Sequence, residues 1–223
     1  MRLVSILSLR GLSRLAVGAL AIGAWTLGLP AKAQAHPHVW VTSQSELVYG
    51  PDGKVTGMRH AWTFDEMFST FALQGLETKT KGVYTREELA PLAETNVTSL
   101  KEFGFFTFAK ADGKKEKFDE PKDYYLEHKN NLLVLHFTLP LKVPVNPKSM
   151  EIEVYDPSYF VDFQFGETDA IKLAGAPSGC QAKVERASDN SAAKQKISEE
   201  VFAKGDNSNY GAIYASKIFV TCQ

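Results

Sequence analysis

The pattern of hydrophobic and polar residues changes its period several times along this chain. These changes predict where strands and helices lie. Residues 38–49 alternate apolar and polar side chains, as a strand with one buried face does. The turn signal Gly50-Pro51-Asp52-Gly53 follows, and residues 54–64 return as a second strand. The two segments predict a β-hairpin.

The same alternation assigns the side chains of the hairpin to two faces. A tight turn would place His38 opposite Asp65. The side chains expected on the core face are Val39, Val41, Met58, His60, Trp62 and Phe64. His36, His38 and Trp40 would share the other face. A slip of one residue in the pairing would break the match with Asp65.

Two helices are predicted after the hairpin. Residues 65–76 carry apolar side chains at helical spacing, with Asp65 as the N-cap. Thr85 opens a second helix as a capping box with Glu88, and its apolar face continues to Phe103.

The rest of the chain is dominated by strand patterns. The candidate strands are 104–110, 114–118, 123–128, 132–139, 149–155 and 159–165. Pro140, Pro144 and Pro147 are expected to break the chain in a loop, and a last strand is expected over 212–221. The prediction is an α+β fold, a mainly antiparallel β-sheet or sandwich with a helical pair inserted after the first hairpin.

The first 35 residues have the pattern of a cleaved signal peptide. Basic residues precede an apolar run over 15–29, and Ala33-Gln34-Ala35 supplies small residues at the cut, with Ala33 as a second cleavage position. The run is shorter than the roughly 20 residues of a membrane-spanning helix. We therefore expect a cleaved signal peptide, residues 1–35, and one periplasmic domain, residues 36–223, with no stable membrane insertion after cleavage.

Charge and cysteine content narrow the class of protein. The full chain has 25 basic and 26 acidic residues, and the leader removes basic residues only, so the mature chain is acidic and no nucleic-acid partner is expected. In an exported protein the pair Cys180 and Cys222 predicts a disulfide that staples the C-terminal part. A thiolate metal pair is the alternative, but the spacing matches no zinc motif.

The junction after Ala35 carries the candidate chemistry. A mature chain that begins at His36 offers a metal its α-amine and its ring Nδ1, and His38 adds an imidazole. Pro37 has no N–H, which blocks the square-planar geometry that uses backbone amides. Nitrogen ligands suit copper, nickel, cobalt and zinc alike. The alternative is a frayed, solvated terminus without metal.

Two carboxylates are candidates for further metal ligands. They are Asp65, opposite the histidines, and Asp156, which also suits a turn cap before Pro157. Asp162 lies between aromatic residues, and a carboxylate in this setting needs a partner, which a metal or the chain terminus could supply. His60 falls in an apolar run and is expected to be a core histidine. The chain has no Gly-x-Ser-x-Gly elbow, P-loop or His-Glu-x-x-His motif, so no catalytic residue is assigned.

Several sequence blocks resemble a known family. They are HPHVWV at 36–41, WTFDE at 62–66, EELAPL at 87–92 and VYDPSYFVDF at 154–163. Together they are similar to bacterial periplasmic proteins of unknown function that are labelled as the periplasmic component of an uncharacterised ABC-type transport system. Members are often encoded beside nickel/cobalt-type permeases. The resemblance implies a periplasmic role tied to transition-metal transport.

The chain departs from this family at one loop. Members often carry a calcium-type loop before the Glu-Glu-Leu helix, and residues 77–88 correspond to it. Gly82 and Glu88 keep their loop positions, but Lys79 and Lys81 replace two oxygen ligands with cations. Because calcium needs several oxygen ligands, we expect the loop to be inactive in calcium binding.

The sequence leads us to expect a transition-metal-binding accessory protein that works with an inner-membrane metal permease or ABC-type transporter. Two alternatives stay open. One is a copper oxidoreductase with a histidine brace, and the other is a metal-free envelope interaction protein.

Overall fold

The computed structural model of the chain describes residues 37–187 and 209–222, all within one compact unit. The expected signal peptide, residues 1–35, and the expected first mature residue, His36, lie outside the described residues. In the described part, no helix is both long and apolar enough to cross a membrane.

The described residues form strands, two α-helices and short 3-10 helices. The strands are β1 Val39–Tyr49, β2 Val55–Phe64, β3 Thr107–Ala111, β4 Lys114–Lys115, β5 Lys122–Lys129, β6 Leu132–Val145, β7 Ser149–Val154, β8 Val161–Phe165, β9 Ile171–Ala174, β10 Gln181–Glu185 and β11 Lys217–Thr221. The helices are α1 Glu66–Ala72 and α2 Arg86–Leu100, with 3-10 helices at Lys101–Phe106 and Tyr210–Tyr214.

The strands form two sheets, which confirms the predicted α+β class. The first sheet has the order β5-β6-β2-β1-β8, and β9 also pairs with β1. The second has the order β10-β11-β7-β3-β4. Most neighbouring strands are antiparallel. Strands β8 and β9 both run parallel to β1 and pair with successive parts of it, β8 with its first half and β9 with its second half.

One hydrophobic core takes side chains from both sheets. Its almost completely buried members include Val41, Leu47, Trp62, Leu135, Phe137, Ile152 and Ile218. Aromatic rings pack against each other in this core. The ring centroid of Phe163 lies 4.7 Å from that of Trp62 and 5.4 Å from that of Phe106. Residues of β1 and β2 that the alternation assigns to the core are buried, as predicted.

The first hairpin closes with a different register from the predicted one. Tyr49 pairs with Val55 through a bulge, and Asp65 lies opposite Trp40, with Asp65 N donating to Trp40 O at 2.9 Å. The predicted pairing of His38 with Asp65 is therefore wrong by two residues, because the turn and the bulge take up extra residues. A shift of two residues leaves every side chain on its predicted face.

Strand β6 continues through Pro140 and Pro144, so the predicted loop is wrong over this stretch. The pairing with β2 is irregular there. Gly57 permits the close approach of the two strands, since a Cβ at Gly57 would lie 2.6 Å from Leu139 O. Proline is tolerated where a ladder is interrupted in this way.

The predicted helix N-caps and the predicted disulfide are confirmed. Asp65 caps α1 by accepting from Phe68 N, although α1 ends at Ala72, earlier than predicted. Thr85 and Glu88 form the capping box of α2. The disulfide joins Cys180 to Cys222, just before β10 and just after β11.

Candidate functional site

His38 immediately precedes β1 and has an exposed side chain. Its backbone N donates to Phe160 O at 2.9 Å, and its imidazole centroid lies 4.8 Å from the Phe160 ring. The start of the folded chain is thus held against the loop that leads into β8. Both the backbone and the ring of His38 therefore contact Phe160.

Asp65 connects three elements at the same end of the first sheet. Its Oδ2 accepts from Trp40 N and its Oδ1 from Phe68 N, both at 2.9 Å. The carboxylate therefore fixes the end of β2 against β1 and caps α1. Metal ligation by Asp65 stays a prediction, and any metal would share oxygens that already accept hydrogen bonds.

Asp156 organises the loop before β8. It is 3% exposed, and its carboxylate accepts from Ser158 N and Ser158 Oγ at 2.8 Å and from Val161 N at 3.0 Å. The C-terminal 3-10 helix packs on this loop. Gly211 N donates to Pro157 O, and a Cβ at Gly211 would overlap the Asp156 carbonyl oxygen. These contacts give Asp156 a structural role, and its metal ligation stays a prediction.

A groove of about 730 Å3 lies at this end of the first sheet. Four of its lining side chains are carboxylates: Asp65, Glu66, Asp162 and Glu167. Among its described lining residues, Arg186 is the one cation, and its guanidinium donates to the backbone oxygens of residues 165 and 166 at 2.6 and 2.7 Å. The groove is therefore acidic and favours cationic ligands.

Aromatic rings form part of the groove wall. The side chain of Trp40 is 45% exposed, and the rings of Tyr159 and Tyr214 stack with centroids 4.1 Å apart. Burial, with smaller effects from the nearby Asp162 and Tyr210, raises the pKa of Tyr159 to about 12. The Tyr159 phenol therefore stays protonated at neutral pH.

Asp162 is the carboxylate for which the sequence indicated the need of a partner. It lies opposite Trp40 in the parallel pairing of β1 with β8 and is 7% exposed. From the described residues its carboxylate accepts one hydrogen bond, from Gln164 Nε2 to Oδ2 at 3.0 Å. The sequence signal for Asp162 is its place between two aromatic residues on a strand.

His38, Asp65 and Asp156 are the predicted ligands within the described residues, and they lie at one end of the first sheet without forming a metal site by themselves. Over residues 37–187 and 209–222, no three His, Cys, Asp or Glu side chains are grouped closely enough to hold a metal ion. His38, the Asp65 junction and the Asp156 loop are nonetheless neighbouring segments, joined through Trp40 and Phe160.

His60 is a core histidine, as the sequence predicts. Its Nδ1 lies 2.9 Å from Ser45 Oγ, and its Nε2 lies 3.4 Å from Thr107 Oγ1 on the second sheet. Thr107 Oγ1 donates to Phe105 O, so it is placed to accept from a neutral ring with the proton on Nε2. Burial lowers the pKa of His60 to about 3.

A second groove, of about 480 Å3, lies on the outer face of the first sheet. Tyr125 and His136 stack there with centroids 4.5 Å apart, and the Arg86 guanidinium carbon lies 3.4 Å from the Tyr125 centroid. Burial lowers the pKa of His136, partly opposed by its contact with Glu127. This stack stabilises α2 against β5, and its residues define no reaction.

The loop that resembles a calcium site is closed by protein groups. Glu88 Oε1 accepts from Lys79 N at 2.8 Å, and Oε2 accepts from Thr85 N at 2.9 Å. These backbone hydrogen bonds lower the pKa of the Glu88 carboxyl. Calcium inactivity of residues 77–88 stays a prediction.

Fold and site together define an α+β protein of two sheets with an acidic, aromatic groove beside the start of its first strand. The family described as "Protein of unknown function (DUF1007)" matches residues 21–222, and the chain belongs to this family. An uncharacterised protein of Haemophilus influenzae is 24% identical over 194 residues, which cover 85% of this chain and 92% of that protein.

Proposed function

We propose that this protein is a periplasmic accessory protein that binds a transition-metal ion at its mature N-terminus. It passes the ion to or from an inner-membrane metal permease or ABC-type transporter. The observation that carries the proposal is that His38 is held against Phe160, two residues before Trp40, which lines a groove with four carboxylates. A cation held at this end of the sheet would be favoured by the negative charge of the groove.

The ligands have separate roles in this proposal. The α-amine and Nδ1 of His36 form the chelate, and the imidazole of His38 completes its nitrogen set. Asp65 and Asp156 remain candidate oxygen ligands. We add Asp162, because its carboxylate accepts fewer hydrogen bonds from the described residues than theirs do. Nitrogen ligands select copper, nickel, cobalt or zinc over calcium and magnesium.

The disulfide supports the periplasmic location in this proposal. The disulfide between Cys180 and Cys222 is compatible with an oxidising compartment. The signal peptide and its cleavage after Ala35 belong to the proposal, because the chelate requires a free amine on His36.

Calorimetric titration of three proteins with copper, nickel, cobalt and zinc salts tests this function. The first begins at His36, the second carries one extra residue before His36, and the third is the His38→Ala variant of the first. We expect binding to the first and binding at least about tenfold weaker to the other two. His128→Ala, a change at a distant and partly exposed histidine, is the control and should bind as the parent does.

Each other result contradicts a defined part of the proposal. Equal affinity with and without the extra residue would move the site to internal side chains. No binding of any of the four metals would leave a metal-free envelope interaction protein. Peroxide-dependent turnover by the copper-loaded protein would favour a histidine-brace oxidoreductase instead of a metal carrier.

A further inference from the structure

The exposed side of α1 carries two large apolar side chains, which is unusual for a surface helix. Met67 and Phe71 lie one turn apart and are 66% and 70% exposed. The inner side of α1 is held by Ser69, which is fully buried and accepts from Leu133 N at 2.9 Å. The helix is therefore fixed to the sheet while it presents two large apolar side chains to solvent.

This apolar face is continuous with the acidic groove. Asp65 and Glu66 line both the groove and the shallow depression around Met67 and Phe71. The exposed ring of Trp40 lies on the groove side of the same junction. We call these residues together, with the carboxylates of the groove, the α1–groove surface.

The net charge on this surface is negative, since four carboxylates and one guanidinium of the described residues line the groove. Helix α1 has no basic residue, and the guanidinium of Arg186 in the groove is already bound to two backbone carbonyls. Glu66, Asp162 and Glu167 are the charged groups left facing the groove. A complementary partner must combine apolar side chains with positive charge.

We propose that the α1–groove surface docks an extended segment of a partner protein in which apolar side chains alternate with lysine or arginine. An apolar side chain packs on Met67 and Phe71, and a neighbouring cation enters the groove beside Trp40, where ring faces and carboxylates both attract it. This docking rests on the proposed metal-transfer function and defines the chemistry of the partner. It uses the same groove, but it does not require bound metal.

Fluorescence anisotropy with two labelled, capped peptides of equal length tests the docking. One alternates leucine with lysine, and the other alternates leucine with glutamate. We expect the mature protein to bind the lysine peptide and not the glutamate peptide, with affinity that falls as salt is added. The double variant Met67→Ala/Phe71→Ala should bind about tenfold more weakly, because it removes the apolar half of the surface.

A charge variant tests the contribution of the carboxylates to binding, and a control variant tests whether the effect is confined to the α1–groove surface. Glu66→Gln/Glu167→Gln should weaken lysine-peptide binding and flatten its dependence on salt, since both removed charges face the groove. Val143→Ala is the matched control, because Val143 is 67% exposed on β6, outside the α1–groove surface, and should bind as the parent does. Circular dichroism of each variant checks that the fold is retained.

Equal binding of the two peptides, or unchanged binding by Met67→Ala/Phe71→Ala, would overturn the proposal. Dimerisation in sedimentation that this double variant abolishes would replace the partner with a second copy of the chain. Binding to phosphatidylcholine vesicles that the same variant abolishes would replace it with a membrane surface. Metal titration of the double variant keeps the two hypotheses apart, because it should bind metal as the parent does.

Discussion

At the scale of single residues, His60 makes the fold sensitive to pH. The neutral ring bridges the sheets through Ser45 and Thr107, and its pKa in the folded protein, about 3, lies below the ordinary value of 6.5. The unfolded chain therefore binds a proton that the folded chain rejects. The contribution of His60 to stability is complete above pH 6.5 and is lost as the pH falls from 6.5 towards 3.

We predict that urea denaturation of the parent will show falling stability between pH 6.5 and pH 5, and that His60→Gln will flatten this slope. Carboxyl groups titrate mostly below this window, so histidines dominate it. His128→Gln is the control and should keep the parent slope, because His128 is only partly buried. An identical slope for parent and His60→Gln would show that the His60 ring does not carry this pH dependence.

The alternation of apolar and polar residues along a strand correctly predicted which side chains of the first hairpin are buried. The alternation placed His60 and Trp62 in the core because side-chain direction depends only on position along a strand. It could not rank Asp156 against Asp162. Their hydrogen bonds come from the loop and strand geometry around β8, which no local pattern specifies.

At the scale of elements, α2 depends on its N-terminal capping box. Thr85 Oγ1 accepts from Glu88 N, and Glu88 Oε2 accepts from Thr85 N. Thr85→Ala should lower the free energy of unfolding by about 1 kcal/mol, because it leaves a helix N–H without its protein partner. Urea denaturation monitored by circular dichroism measures the change.

Thr95→Ala is the matched control within the same helix. Thr95 Oγ1 donates to Pro91 O in the helix interior, where it supports no cap. Because alanine has the higher helix propensity, this change should be neutral or slightly stabilising. Equal losses from the two changes would mean that the capping box contributes nothing particular to stability.

The sequence predicted the start of a helix correctly where both partners of the capping hydrogen bond lie close together in the chain. The caps at Asp65 and Thr85 satisfy N–H groups three residues away, so the sequence contains both partners. The register of the first hairpin and the passage of β6 through Pro140 depend on a bulge and on the approach of Gly57. Those features arise from pairing between strands.

At the scale of the whole molecule, the disulfide joins the two ends of a loop of 42 residues next to the strand pair β10–β11. Reduction or the double variant Cys180→Ser/Cys222→Ser should lower the free energy of unfolding by about 2–4 kcal/mol, since it frees this loop in the unfolded chain. Urea denaturation with and without a reducing agent measures the loss.

The double cysteine variant also provides its own control. A reducing agent should destabilise the parent and leave Cys180→Ser/Cys222→Ser unchanged. If reduction left the parent as stable as before, the disulfide would not stabilise the fold.

The sequence by itself determined the α+β class, the buried faces of the first hairpin, both helix caps and the cysteine pair. Each of these rests on neighbouring residues or on composition. Only the tertiary structure decided that β8 and β9 pair in parallel with β1, and that His38, Asp65 and the Asp156 loop lie at one end of a sheet. The acidic groove exists because strands far apart in the chain meet there, and such pairing depends on contacts across the whole core, which a local pattern does not contain.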